Sequence, residues 1–435
     1  MAPRPPHWRV VVGLLGRLGL GAAAAWMGAT LTSCGQEAPP PQVQGQDLRG
    51  TVVMAMGITS DETIDGELSE ALKHRLGITL RDFRLMHPNA QVQLQLFPED
   101  DLLEETRFRT AAGLGPDLLF LSNSTANDLE EAGLTRRVRM PAALLQRMDP
   151  TAARLFQGSN GELSSVPVLL MPQLACFDRR RLVRSPATLE ELLQQSSQGL
   201  RVGLPLDGFN LAWTFGSLGV VDAVEDLFAG QPATPERRQA LGRWLSWLQQ
   251  ADQVQDVDFQ LSQSQLIQDL GKGQLDWTSC RSTHLARLKI ELGRHLGIAT
   301  LPRGPGGPPS PVSRQRVLAF GRNSSPAQQR VAESLAQFLL TPLTQRNLAL
   351  QRQEVLPVVD SLRLPTNRKG TLRLLAIAQA QMRGSNGKEQ TMFQQGDQNG
   401  LAMGQVISRY LYGNLDLDGA IDGLVRAIQS GKGEP

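Results

Sequence analysis

Short apolar runs alternate with amphipathic helical stretches along most of this chain, and that alternation restricts the possible folds more than any other feature. The run 50–56 ends at Gly57 and reads as a buried strand. Across 65–87, Leu68, Leu72, Leu76, Leu80 and Phe83 recur at three- and four-residue steps, the period of a helix with one buried face. His87 and Pro88 stop that helix, and 92–96 alternates apolar with polar as a half-buried strand does. A second helix is predicted over 99–112. Gly115, Pro116 and Asp117 then turn the chain into the apolar strand 118–121, followed by a polar loop, 122–125, and a helix, 126–132, ended by Gly133. Such spacing implies an α/β fold with a mainly parallel sheet.

The middle of the chain repeats this grammar. Residues 166–177 read as extended and broken by Pro167 and Pro172, 188–194 as a helix, 202–205 as a strand and 209–215 as a helix start. Thr234 as N-cap and Pro235 in the first helical position open a helix that carries Trp244 and Trp247. Strands are predicted over 274–278, 297–301 and 317–320, a surface loop over 303–311, and helices over 327–340 and most of 401–428. No repeat of fixed period is present.

The first residues are of a different kind. Arg4, Arg9 and Arg17 precede the apolar run 18–31, and the small residues Thr32 and Ser33 follow, in the pattern of a secretory signal. Because Cys34 stands directly after them, the segment resembles a bacterial lipoprotein signal. The resemblance implies a signal over 1–33, lipid attachment at Cys34, a Pro- and Gln-rich tether over 34–47, and an exported, periplasmic or cell-surface body. An uncut anchor is the alternative, which Arg17 inside the apolar stretch weakens. The net charge is +2 with both signs scattered, and no basic block argues for nucleic acid or an extended membrane surface. Cys176 and Cys280 remain; an exported chain could join them, but sequence does not set their separation.

Catalytic chemistry is hard to find. His74, His87, His284 and His295 have no metal-binding spacing, and no cysteine pair offers a zinc site. There is no nucleophile elbow and no Walker loop, and the prolines in 303–311 remove N–H groups that a phosphate cradle needs. The clusters Asp61, Glu62, Asp65 and Glu99, Asp100, Asp101 read as acids favoured at helix starts. Residues 415–419 lack the further ligands of a calcium loop. Neither a cofactor, a metal site nor an enzyme activity is expected.

The order of the pieces carries the remaining information. Gly115-Pro116-Asp117 and the strand after it, then Leu129 to Leu134, resemble a core motif of bacterial extracellular solute-binding proteins, the sugar and polyol binders of ABC transporters. Ser165 to Leu182, Pro186 to Leu192, Gly271-Lys272-Gly273, Gly297 to Pro302, Phe338 to Pro342 with Gln345, and Leu356-Pro357-Val358 follow in the family's order. The resemblance implies a two-lobed, type II periplasmic-binding-protein fold that closes on a ligand. Lobe one would be 48–171 with 302–356, lobe two 175–299 with 358–430, and the hinge Pro172, Cys176, Pro302 and Pro357. Since α/β sheets bind ligands at the carboxyl ends of their strands, the expected ligand-binding residues are Ser60, Asp61, Glu62, Ser122, Asn123, Ser124, Thr125, Phe209, Asn210, Trp213, Trp277, Ser279 and Arg281. The family's aromatic residues after the third strand are replaced here by Leu121 and Ser122, so a small, polar or acidic glycoside is expected rather than a long oligosaccharide. Expected partners are that small solute, the transmembrane subunits of a permease, and the membrane through the lipid anchor alone, with no nucleic acid and a monomeric state. A sensor or scaffold protein without a ligand, and a secreted enzyme on the same fold, are the alternative functions.

Overall fold

The computed structural model describes residues 48–58, 66–352, 354–360, 362, 370–384 and 398–430. Asp47–Pro435 forms one compact unit. Its strands are β1 (Gly50–Ile58), β2 (Ala90–Pro98), β3 (Leu118–Ser122), β4 (Thr135–Arg136), β5 (Val166–Asp178), β6 (Val202–Pro205), β7 (Val257–Gln260), β8 (Trp277–Arg281), β9 (Leu296–Ala299), β10 (Ser313–Gly321) and β11 (Leu356–Pro357). They join in the order β2-β1-β3-β10-β5-β8-β6-β7, with β4 on β10 and both β9 and β11 on β5. β1, β2 and β3 are parallel, as are β6, β7 and β8, but β10 and β5 run antiparallel to their neighbours. The sheet is therefore mixed: two parallel blocks meet through two strands that run against them.

β5 makes that junction. Val166 to Pro172 pairs with β10, and Gln173 to Phe177 pairs with β8, so the partner changes between Pro172 and Gln173. All thirteen residues are buried. The two prolines do not break this strand, against expectation. A proline cannot donate to a ladder and is tolerated at irregularities; Pro167 adjoins the register shift at Arg316 and Val317, and Pro172 stands where the ladder changes partner. In its second half Leu174 and Cys176 join one apolar cluster, with Leu266, Leu285 and Leu288, while Ala175 and Phe177 join another, with Trp213, Trp244 and Met403. Alternate residues thus pack against helices on opposite faces, which explains the unbroken apolar run. Cys176 and Cys280 are disulfide-bonded with a Cα separation of 5.8 Å, fastening β5 to β8.

Other predicted elements shift in instructive ways. The helix with Thr234 as its cap runs Pro235–Asp252, and Thr234 accepts from the Arg237 N–H as the sequence implies. The strand expected over 274–278 begins three residues later, because Gly273 adopts φ +73° and the N–H groups of Gln274 and Leu275 bond back to the Asp269 carbonyl. The expected loop 122–125 is instead the start of the helix Asn123–Glu131, capped by Ser122. The chain from 304 to 310 is no free surface loop: Gly306 N–H donates to the Ser217 carbonyl, Ser310 N–H to the Trp213 carbonyl, and Ser310 Oγ–H to the Ala212 carbonyl.

Candidate functional site

Three strand ends of the first parallel block converge on one carboxylate. Glu99 follows β2 in a short 3₁₀ turn and is buried. Its Oε1 accepts from the Ser122 N–H at 2.6 Å and from Thr125 Oγ1 at 3.0 Å, and its Oε2 pairs with Arg316 of β10 at 2.5 Å. A Cβ at Gly57, near the end of β1, would lie 2.8 Å from Glu99 Oε2, so the strand approaches this closely only with glycine there. Burial pushes the Glu99 carboxyl up. The Arg316 charge, with hydrogen bonds from Ser122 and Arg316, outweighs burial and holds the group below its ordinary range. Ser122 Oγ also bonds Ser124 Oγ at 2.9 Å, and Asn123 Oδ1 accepts from the Gln315 N–H at 3.2 Å. Glu99, Ser122, Thr125 and Arg316 thus satisfy one another, whereas Gln315 Oε1 is buried with no hydrogen-bond partner among the described residues.

The second block differs. Gln173, the first residue past the partner change, donates to the Asn210 carbonyl at 3.2 Å and accepts from the Val312 N–H at 3.1 Å. Asn210 donates its backbone and side-chain N–H groups to Asp207, both at 2.7 Å, while its Oδ1 is buried with no hydrogen-bond partner among the described residues. Ser279 Oγ in β8 has none either. Arg281, opposite Gln173 in the ladder, is buried, and its N–H donates to His284 Nδ1 at 3.1 Å. Arg314 of β10 lies over the Phe209 ring, 5.2 Å from its centroid.

The residues expected from sequence divide accordingly. Ser122, Asn123, Ser124 and Thr125 gather at the helix Asn123–Glu131. Phe209 and Asn210 gather near the crossing, and Ser279 and Arg281 lie inside β8 rather than in a loop after it. Trp213 and Trp277 have no exposed surface and meet edge to face at 6.3 Å, with Trp277 Nε1–H donating to Ser185; both are core, so neither ring offers a stacking face. The cause is local: Trp277 is the first residue of the strand, deep beneath its carboxyl end. Cys34, Ser60, Asp61 and Glu62 lie outside the described residues. Glu99 and Arg316 were not singled out as a pair; they stand 217 positions apart, and no local pattern joins them.

The hinge expectations also separate. Pro172 sits at the partner change. Cys176 is held to β8 by its disulfide, beyond the crossing. Pro302 is held against the helix Trp213–Leu218 by the Ser217 hydroxyl, and the returning chain reaches the crossing ten residues later, at Val312 and Ser313. Pro357 lies in β11, paired with Leu169. Among the described residues no helix is long and apolar enough to cross a membrane, and no group of three or more His, Cys, Asp or Glu could hold a metal ion.

A mixed sheet whose two parallel blocks meet at crossing strands, with polar groups gathered at the junction, defines a class of two-lobed receptors. The family profile of bacterial extracellular solute-binding proteins matches residues 80–369, and the chain belongs to that family. The fold is similar to that of a cyclic α-maltosyl-1,6-maltose binding protein from Arthrobacter globiformis, with TM-score 0.64 and 16% identity over 88% of this chain and 99% of that one. It is likewise similar to the GacH receptor of Streptomyces glaucescens, solved unliganded and with acarbose, with TM-score 0.66 and 14% identity over 88% and 98%. An ABC transporter solute-binding protein from Thermotoga lettingae bound to α-D-tagatose matches with TM-score 0.61 and 14% identity over 88% and 99%. A search among curated proteins finds no match.

Proposed function

We propose that this protein captures a small sugar, polyol or glycosylated solute between its lobes and delivers it to the transmembrane subunits of an importer. In this reading it is exported, processed before Cys34 and held by lipid at that residue. Its role is binding, not catalysis. The lobes are proposed to be 48–171 with 302–356 and 175–299 with 358–430, with two changes. In this reading the return crossing is moved to Val312 and Ser313, and lobe one is extended past Asp360, whose N–H donates to the Arg147 carbonyl, to the helix Thr371–Gly384, where Gln379 donates to Asp149 at 3.0 Å.

The observation that carries the reading is that Asn210 Oδ1, beside the crossing, and Ser279 Oγ, in β8, are among the buried polar atoms of this lobe with no partner among the described residues. Burying such atoms unbonded is costly, and the hydroxyls of a solute would satisfy both. The absence of an exposed tryptophan face among the described residues favours a small hydroxylated ligand over a long oligosaccharide. Closure follows if contacts from both lobes make the closed state bind more tightly than the open one.

Thermal unfolding of the body, 47–435, against a panel of sugars, polyols and glycosylated small acids tests this. A ligand at a hundred times its dissociation constant is expected to stabilise the fold by about 2.7 kcal/mol. Silence across the panel would favour the reading of a ligand-free sensor or scaffold, to which the self-satisfied network around Glu99 lends some weight.

A further inference from the structure

Four arginines stand within six residues where β5 ends: Arg179, Arg180, Arg181 and Arg184. The fold gathers more basic groups around them. The Arg179 N–H donates to the His295 carbonyl at 2.8 Å, which brings Arg294 alongside. Arg181 and Arg201 share the Asp276 carboxylate, at 3.6 and 2.6 Å. A Cβ at Gly273, next to Lys272, would lie 3.9 Å from Arg180 Nη2.

What matters is how the charges are layered. The Asp178 and Asp276 side chains are 4% and 1% exposed, whereas Arg180, Arg181 and Arg201 are 53%, 58% and 40% exposed. The acids hold the arginines from beneath, so the outward layer is cationic. Glu191, paired with Arg184 at 2.6 Å, Asp256, beside Arg201, and Glu291, which lies against Gly271 and pairs with Arg287, mark its margin. Within the basic run Val183 is fully exposed. An apolar tip among exposed cations fits the headgroup region of an anionic bilayer, where cations gain from the surface potential and the tip from the acyl boundary.

The position of the patch fits as well. It lies at the start of β6 and β8 and the end of β5, the end of this block farthest from the crossing at Pro172 and Gln173. β1, where the described chain begins, runs toward that crossing from the opposite end. A body touching a surface through the patch and held near its chain entry would lie along the surface and leave the interlobe face between the two contacts. We propose that this arginine-rich face docks on an anionic lipid surface and sets the orientation of the receptor. The run 179–184 supplies four of these cations, and the fold adds Arg201, Lys272 and Arg294 from segments far apart in the chain. The inference does not depend on which solute the cleft takes.

Cosedimentation of the 47–435 body with phosphatidylglycerol-containing vesicles and with pure phosphatidylcholine vesicles, at low and high salt, tests it. Binding is expected to the anionic vesicles only and to be lost at high salt, as exposed charges are screened. Arg179, Lys272 and Arg294 carry no ion pair among the described residues, so the triple variant R179E/K272E/R294E keeps the buried carboxylates paired. It should bind at least tenfold more weakly with an unchanged unfolding midpoint, while Arg84→Glu on the other lobe should bind as the parent does. Equal binding to both vesicle types would overturn the proposal, as would a triple variant that binds like the parent. Retention on heparin without vesicle binding would also overturn it, and would assign the face to a soluble polyanion.

Discussion

The two strand-end clusters that face the crossing are built on opposite plans. In lobe one Glu99, Ser122, Thr125 and Arg316 close on one another, and the charge of each buried ion is met inside the chain. In lobe two Asn210 and Ser279 each keep a buried polar atom with no partner among the described residues. The first plan fixes geometry; the second leaves bonds for something else to make. The closure proposed above would have use for both, a rigid wall and a wall whose polar groups a solute completes.

The contrast can be broken most strongly at Arg316. Arg316→Met leaves the Glu99 carboxylate buried without its cation, which is expected to cost about 3–5 kcal/mol in urea unfolding. Replacing both disulfide cysteines, Cys176 and Cys280, by alanine frees a 104-residue separation in the unfolded chain and should cost about 2–5 kcal/mol, acting on the lobe-two half of β5 and not on the Glu99 cluster. Acid titration separates the two effects. Because the folded Glu99 carboxyl is held below its ordinary range, its contribution is present above the unfolded pKa and is lost as pH falls through the folded one. The unfolding midpoint of the parent should therefore drop on acidification more steeply than that of Arg316→Met, while the disulfide variant should follow the parent.

At Ser279 the outcome should invert. Ser279→Ala removes an atom with no hydrogen-bond partner among the described residues, so stability should change by no more than about 0.5 kcal/mol. Affinity for the solute should fall by roughly 0.5–1.5 kcal/mol, the worth of one neutral hydrogen bond, as read by calorimetric titration. The smallest effect is optical. Trp213, Trp244, Trp247 and Trp277 are all buried, so saturating ligand should leave tryptophan emission nearly unchanged.

These differences also separate what was legible in the sequence from what was not. Local signals were reliable: Thr234 and Pro235 start their helix where expected, and the alternation of runs and helices implied the two α/β blocks. Features decided by distant partners were not. Pro167 and Pro172 read as breaks because a register shift and a change of ladder partner exist only once β10 and β8 are in place. Trp277 stood three residues beyond the expected strand start, and the back-bonded turn at Gly273 put it in the core. Glu99 read as a helix-start acid; its partner lies on the last long strand, and only the fold turns the residue into the centre of a cluster. Ser122 to Thr125 read as a loop because the cap only shows once the helix is formed: Ser122 caps the helix Asn123–Glu131 and does not open a loop.

Small-angle scattering of the 47–435 body, with and without a ligand found in the unfolding panel, tests the central claim most directly. A hinged receptor is expected to lose radius of gyration on saturation, and Ser279→Ala should shift that compaction to higher ligand concentration. An unchanged radius of gyration at proven saturation would contradict closure about the crossing at Pro172 and Val312.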